Sequence, residues 1–195
     1  MRIIAGKANR KALVTLPGEE ITRPTIERVK EGLFSAIQFE ITGRRVLDLF
    51  SGCGQIGLEA LSRGADSAVL VDASVDAIGI IKKNAKNTLL APQCKIIKAD
   101  YSEYLKAASK KEKFDLVFLD PPYSFDMRKA VLKKLNKAEI LNDGAIIVCE
   151  TDKDICPDDE NLYSFVFKKK YRYGKVFITM FTYDANCEVG SEDNE

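Results

Sequence analysis

Phe114-Asp-Leu-Val-Phe-Leu-Asp-Pro-Pro-Tyr123 is the stretch whose reading decides the fold. Leu116 to Leu119 is apolar without alternation, the pattern of a strand buried on both faces of a parallel sheet. The run stops at Asp120, because Pro121 and Pro122 cannot donate to a ladder and hold φ near about −65°. An acid, two rigid carbonyls and an aromatic ring are thereby placed just past the carboxyl end of a strand. Ligands bind at that edge in open α/β sheets.

Outward from this strand, the chain from Gly43 alternates between two periodicities. Strands are predicted over 45–50, 67–72, 95–99 and 145–150, and helices over 53–63, 75–89, 102–109 and 128–137. Such alternation predicts an α/β fold with a doubly wound, mostly parallel sheet. Two β-rich runs, 163–173 and 175–184, are separated only by Gly174 and predict an antiparallel C-terminal hairpin at the sheet edge. Ahead of Gly43, residues 2–5 and 11–16 read as a small N-terminal β-hairpin turning through Gly6–Arg10. A helix follows to about Glu40, with Thr25 as its N-cap and Ile26, Val29, Leu33, Phe34 and Ile37 as its apolar stripe. The expected division is 1–42 as an N-terminal extension, 43–184 as the main domain and 185–195 as an acidic disordered tail.

Composition narrows the chemistry. The 195 residues suffice for one full core, and 46% hydrophobic with 30% charged residues is ordinary for a soluble globular protein. No apolar run approaches the roughly 20 residues that span a bilayer, and no signal h-region opens the chain, so no membrane partner is expected. Five cysteines without a Cys-x-x-Cys pair point to free thiols in a reduced, cytoplasmic protein. The absence of histidine excludes Ser-His-Asp and Cys-His catalysis and argues against a metal. The net charge of +1 is uneven: residues 1–45 hold nine Lys/Arg against five Asp/Glu, and the last twelve hold no Lys/Arg against five acids. A basic front end carrying Arg2, Lys7, Arg10, Lys11 and Arg23 is compatible with nucleic acid, although solvated surface charge is the commoner reason for such residues.

A first chemical site lies in Asp48-Leu-Phe-Ser51-Gly52-Cys-Gly54-Gln-Ile-Gly57, between the first main strand and its helix. Gly52 and Gly54 permit a tight turn, and Gly57 lets the helix approach the strand. Asp72, 20 residues after Gly52 at the end of the next strand, is placed to accept both hydroxyls of a ribose. A dinucleotide would satisfy these features too, but Asp48 would repel its pyrophosphate. A sulfonium with an α-amino group would instead be attracted by that carboxylate, so S-adenosylmethionine fits better. Asp100, ending the third strand, is either an adenine contact or a bare helix cap.

The second site is Asp120-Pro121-Pro122-Tyr123. An exocyclic amine on a nucleobase is a poor nucleophile because its lone pair is delocalised into the ring. The Asp120 carboxylate and the Pro121 carbonyl, as acceptors for its two N–H bonds, would favour a pyramidal nitrogen whose lone pair faces a methyl group. Tyr123 offers a face for stacking, worth ~1–3 kcal/mol in single-strand binders. Read alone, these residues are also an ordinary strand-ending turn.

Taken together the residues resemble class I S-adenosylmethionine-dependent methyltransferases, which are Rossmann-like, and more narrowly the RsmD family. The likeness rests on Arg2-Ile-Ile-Ala-Gly6, Arg23-Pro-Thr25 with Arg28-Val-Lys-Glu-Gly-Leu-Phe34, Leu47–Gly54, Gly57–Gly64 and Asp120–Tyr123, in order across nearly the whole chain. It implies a seven-stranded sheet with a reversed last strand and S-adenosyl-L-methionine as methyl donor. It further implies N2 of a guanine in small-subunit (16S) ribosomal RNA, or a 30S assembly intermediate, as substrate. It suggests a ligand-side role for Thr25 and Arg28, and RNA contacts from the N-terminal basic residues and from Lys168–Lys170 with Arg172. A monomer is expected. The alternatives are an adenine-N6 methyltransferase on DNA or RNA, since Asp-Pro-Pro-Tyr serves any exocyclic amine, an NAD-dependent oxidoreductase, and a non-catalytic RNA-binding factor.

Overall fold

The computed structural model describes residues 1–16, 23–121, 125–152 and 163–187. Seven strands form one sheet in the order β3-β2-β1-β4-β5-β7-β6. They are β1 Arg45–Asp48, β2 Ser67–Asp72, β3 Cys94–Lys98, β4 Phe114–Leu119, β5 Leu141–Thr151, β6 Phe165–Tyr173 and β7 Val176–Tyr183. The first five run parallel, and β7 pairs antiparallel with both β5 and β6. The order reverses at β1, which places a crevice between the carboxyl ends of β1 and β4.

Helices cover both faces. Phe34 and Ile37 at the end of α1 (Arg23–Ala36), with α2 (Gln55–Ser62) and α3 (Val75–Thr88), pack on one face against Val46, Leu70, Phe118, Val148 and Ile178. On the other, α4 (Tyr101–Ala108) and α5 (Phe125–Ala138) cover Leu47, Val69, Val117 and Ile147. Successive strand residues thus alternate between two cores, which is why the strands read as unbroken apolar runs. Ile3, Ala8 and Leu13 belong to the first core, so the 42/43 division cuts the chain without separating two cores.

The N-terminal hairpin forms with short arms, joined by one antiparallel bridge, Arg2 to Ala12, and by backbone bonds from Ile3 N to the Lys11 carbonyl (2.9 Å), Arg10 N to the Ile3 carbonyl (2.9 Å) and Leu13 N to the Met1 carbonyl (3.0 Å). Other backbone groups of the segment bond to α2. Ile4 N and Ala5 N donate to the Glu59 carboxylate at 2.8 and 3.0 Å, and Ala8 N donates to Ser62 Oγ at 2.9 Å. Lys30, 1% exposed, lies 3.3 Å from Glu59 and donates to the Arg2 carbonyl at 2.6 Å. A buried ion pair thus anchors the hairpin to α2 beside its short ladder.

Other boundaries differ as well, among them the end of α1 at Ala36 rather than about Glu40. The second helix begins at Gln55 rather than Cys53, because Gly54 sits at φ 81°, outside helical space. The first begins at Arg23, two residues early, so Thr25 lies inside the first turn and is not the cap. At the C-terminus, Ala185 N donates to Asp143 Oδ1 at 3.0 Å and Cys187 N to the Asp184 carbonyl at 3.2 Å, so 185–187 fold back on the domain. The remainder of the expected tail lies outside the described residues.

Candidate active site

The crevice opens into a cavity of about 670 Å³ lined by the β1–α2 loop and by the carboxyl ends of the parallel strands. Register explains what lines it. Asp48 is level with Leu70 of β2 and Phe118 of β4, and Phe118 is level with Val148 of β5. Two residues further, on the same face, come Asp72, Asp120 and Glu150. Three acids therefore form a row across β2, β4 and β5, with Asp48 one step deeper. Asp100 and Asp152 also line the cavity, and among its described lining residues there is no lysine or arginine.

The loop is tied down by its own acids. Gly52 (φ 53°) donates its N–H to Asp72 Oδ2 at 2.8 Å, and Ser74 N donates to Asp72 Oδ1 at 2.8 Å. Ser51 is buried, and its hydroxyl donates to the Asp48 carbonyl at 2.8 Å. Gly57 N donates to Asp48 Oδ2 at 3.2 Å. A Cβ on Gly57 would come within 2.1 Å of Leu70 Cδ2, so only glycine lets α2 lie this close to β2.

Asp48 is 4% exposed, and burial drives its carboxyl up from 3.8 to about 7 against the pull of the Gly57 N–H. The charges of Asp120 and Asp72 push the same way. Glu150 is likewise raised to about 8, by burial first and then by Asp120. These are like charges held in a poorly solvated cleft with no cation among the lining residues. A cationic ligand completes such an arrangement, and a pyrophosphate does not. The buried Gln55 Oε1, also on the lining, has no hydrogen-bond partner and would accept an N–H from a ligand. S-adenosylmethionine, with its sulfonium and ammonium, fits this donor-seeking set.

Most of the expected cofactor residues converge here. Asp48, Ser51, Gly52, Asp72 and Asp100 line the cavity, and Gly54 forms the turn below it. Asp100 caps α4 through Ser102 N at 2.8 Å, and it also lines the cavity. Asp120 and Pro121 line the same cavity, while Pro122 and Tyr123 lie outside the described residues, as do the side chains of Arg23 and Thr25. Arg28 is exposed and is not among the lining residues. Arg2, Lys7, Arg10 and Lys11 are all exposed on the N-terminal segment. Arg2 lies 3.5 Å from Glu27, and Lys7 bonds Gln93.

Sequence reasoning missed three contributors. Glu150 was read only as a strand end, although it ends a parallel strand in an acid as Asp48, Asp72 and Asp120 do. Phe50 and Tyr101 pair with ring centroids 5.4 Å apart on the cavity wall. Leu16 reaches the lining because Asn84, fully buried, holds Val14 by its N–H and carbonyl (2.8 and 2.9 Å) and also donates to the Cys53 carbonyl at 2.9 Å. One amide thus ties the N-terminal segment to the glycine loop, and no local spacing signals it.

A sheet of this order with β7 reversed, a glycine turn after β1 and acids at the strand ends defines a class I methyltransferase fold. The model described as "Conserved hypothetical protein 95" matches residues 1–182, and the chain belongs to that family, the RsmD family. Bacillus subtilis YlbH, named as a candidate rRNA methyltransferase, is 35% identical over 182 residues, covering 93% of this chain and 98% of its own. Ribosomal RNA small subunit methyltransferase D of Haemophilus influenzae is 35% identical over 155 residues, 79% of this chain and 80% of its own. The solved Escherichia coli chain YhhF, described as a candidate methyltransferase, superposes with a TM-score of 0.81 at 29% identity, covering 95% of this chain and 99% of that one. At the level of fold alone, SMU.776, described as a candidate methyltransferase complexed with SAH, superposes at a TM-score of 0.64 and 15% identity, over 80% of this chain and 48% of that one. No helix among the described residues is long and apolar enough to cross a membrane.

Proposed function

We propose that this protein transfers a methyl group from S-adenosylmethionine to N2 of a guanine in small-subunit ribosomal RNA, presented free or in a 30S assembly intermediate. The observation that carries this reading is the row of carboxylates with no lining cation, ending at Asp120 and Pro121 in the same cavity. The methylated RNA is argued from relatives named for the small subunit and from the family resemblance.

S-adenosylmethionine supplies an electrophilic methyl on a positively charged sulfur. Asp48 and Gln55 receive its cationic, N–H-bearing end, Asp72 accepts the ribose hydroxyls, and Phe50 with Tyr101 walls the adenine. Asp120 and the Pro121 carbonyl accept the two N–H bonds of the target amine, which localises the lone pair on nitrogen. Proline fixes that carbonyl before reaction, so little reorganisation is required. As the N–C bond forms, the nitrogen becomes acidic, and the Asp120 carboxylate is the adjacent group to take the proton on its way to solvent. The exposed Arg2, Lys7, Arg10 and Lys11 contribute phosphate contacts, which supply salt-dependent affinity rather than base choice. The protein acts in the cytoplasm as a monomer without a metal.

Tritiated S-adenosylmethionine should label small-subunit RNA or particles lacking the modification, with N2-methylguanosine on nucleoside analysis. N6-methyladenosine instead would overturn the base. Asp120→Ala should retain cofactor binding by calorimetry while losing at least ~10²-fold in methyl transfer, the scale for removing one preorganised group. Turnover near wild type would sink the mechanism.

A further inference from the structure

We infer that Glu150 is a specificity-determining residue that accepts the N1–H of the target guanine beside the amine held by Asp120. This rests on the methyl-transfer reading above and deepens it. The β4–β5 register pairs Leu119 with Cys149, so Asp120 and Glu150 are the next residues out on neighbouring strands. Strands lie about 4.8 Å apart, and both residues lie on the same face of the sheet as Phe118 and Val148. Both line the cavity.

Nothing nearby accounts for an acid at this position. Across β7, Glu150 faces Ile178, an apolar partner. The charged group set against it is Asp120 from β4, a like charge, and no hydrogen-bond donor among the described residues is paired with it. A strand of the core (Ile146, Ile147, Val148, Cys149) thus runs into a carboxylate that has no paired donor among the described residues.

The Watson–Crick edges of the two aminopurines differ in what lies beside the amine. Guanine presents N1–H next to its N2 amine, two donor groups side by side. Adenine presents its N6 amine next to a bare N1 acceptor. Adjacent acceptors from Asp120 and Glu150 match the first edge, whereas on the second an ionised Glu150 would face a lone pair. Burial and Asp120 hold Glu150 mostly protonated near neutral pH without ligand, and a neighbouring sulfonium together with an N1–H donor favours its ionised form. Base choice, which Asp-Pro-Pro-Tyr leaves open, is set by the neighbouring strand.

The test uses small-subunit RNA ligated from fragments to carry guanine or 2-aminopurine at the position that tritium labelling identifies. 2-Aminopurine keeps the C2 amine but has an acceptor at N1. The wild type should prefer guanine by ~10²-fold or more in kcat/KM, the scale on which a polar site rejects a mismatched partner. Glu150→Gln, whose amide donates to a bare N1, should narrow that preference to within about tenfold, and Glu150→Ala should narrow it as well. Both substrates are compared on one enzyme preparation, so the ratio is independent of the folded fraction. An unchanged ratio, or equal loss on both substrates, overturns the role of Glu150 while leaving N2-methylguanosine formation standing. N6-methyladenosine as the wild-type product overturns both.

Discussion

Replacing Asp48 by Asn should stabilise the empty protein while disabling it. In the unfolded chain this carboxyl titrates near its ordinary 3.8, whereas in the fold burial holds it at about 7. The folded state therefore binds its proton more tightly, and stability from this group is fully present below the unfolded value. It is lost progressively as pH rises through the folded value. At ~1.4 kcal/mol per tenfold in the proton equilibrium, ionising Asp48 inside the fold costs on the order of 4 kcal/mol by pH 8. Asn keeps an acceptor for Gly57 N and never titrates. Between pH ~5.5 and ~8 the stability gap between Asp48→Asn and wild type should widen by about 2 kcal/mol, or ~4–8 °C in Tm for a domain of this size. Thermal denaturation of the two ligand-free proteins at both pH values measures it. Saturating S-adenosylmethionine should reverse the order, because a ligand at 100 times its Kd adds about 2.7 kcal/mol to the protein that binds it. A gap independent of pH, or a variant that binds cofactor as well as wild type, would refute the reasoning.

Cofactor affinity should itself rise by about tenfold from pH ~6 to ~8, since the ionised fraction of a group near 7 changes by that factor, with proton release seen by calorimetry in two buffers; a flat profile would remove Asp48 from the binding set. Glu59→Ala leaves Lys30 buried without its counter-charge and two N-terminal N–H groups unpaired, so it should cost ~3–5 kcal/mol and hasten proteolysis within residues 1–16. Gly57→Ala drives a methyl into Leu70 and should cost ~1–3 kcal/mol, with a non-additive cost when Leu70→Ala is combined with it; strict additivity would place the strain elsewhere.

The sheet was legible because burial on both faces erases alternation. Val46–Asp48, Ala68–Asp72 and Leu116–Leu119 read as apolar runs of strand length, and turn residues mark their ends. The glycine loop was legible because its spacing is local. What failed was decided at a distance. Residues 2–5 have the composition of a strand and pair through Ile3 as one, yet the N–H groups of Ile4 and Ala5 and the Ala5 carbonyl go to Glu59 and Ser62, more than fifty residues away. The helix at Gln55 starts late because Gly54 is spent on a left-handed turn that the loop requires. Asn84 sits in an ordinary helical pattern and holds two separate segments, for which its own sequence neighbourhood carries no sign.

Glu150 is the more instructive omission, because its signal was in the sequence in a form that single motifs hide. Four of the five parallel strands run to an acid, at Asp48, Asp72, Asp120 and Glu150. A strand end alone explains one of them as a turn or cap residue. Register explains why they matter together, since the period-two alternation puts all four on one face of neighbouring strands. Burial first, with the neighbouring acids adding to it, drives Asp48 and Glu150 upward, and holding them ionised works against folding. A fold that tolerates such a cost at one edge, while pairing the buried Glu59 with Lys30 and Arg63, has that edge shaped by a ligand rather than by its own stability. The positive charge absent from the described lining of that edge is the one that a sulfonium would bring.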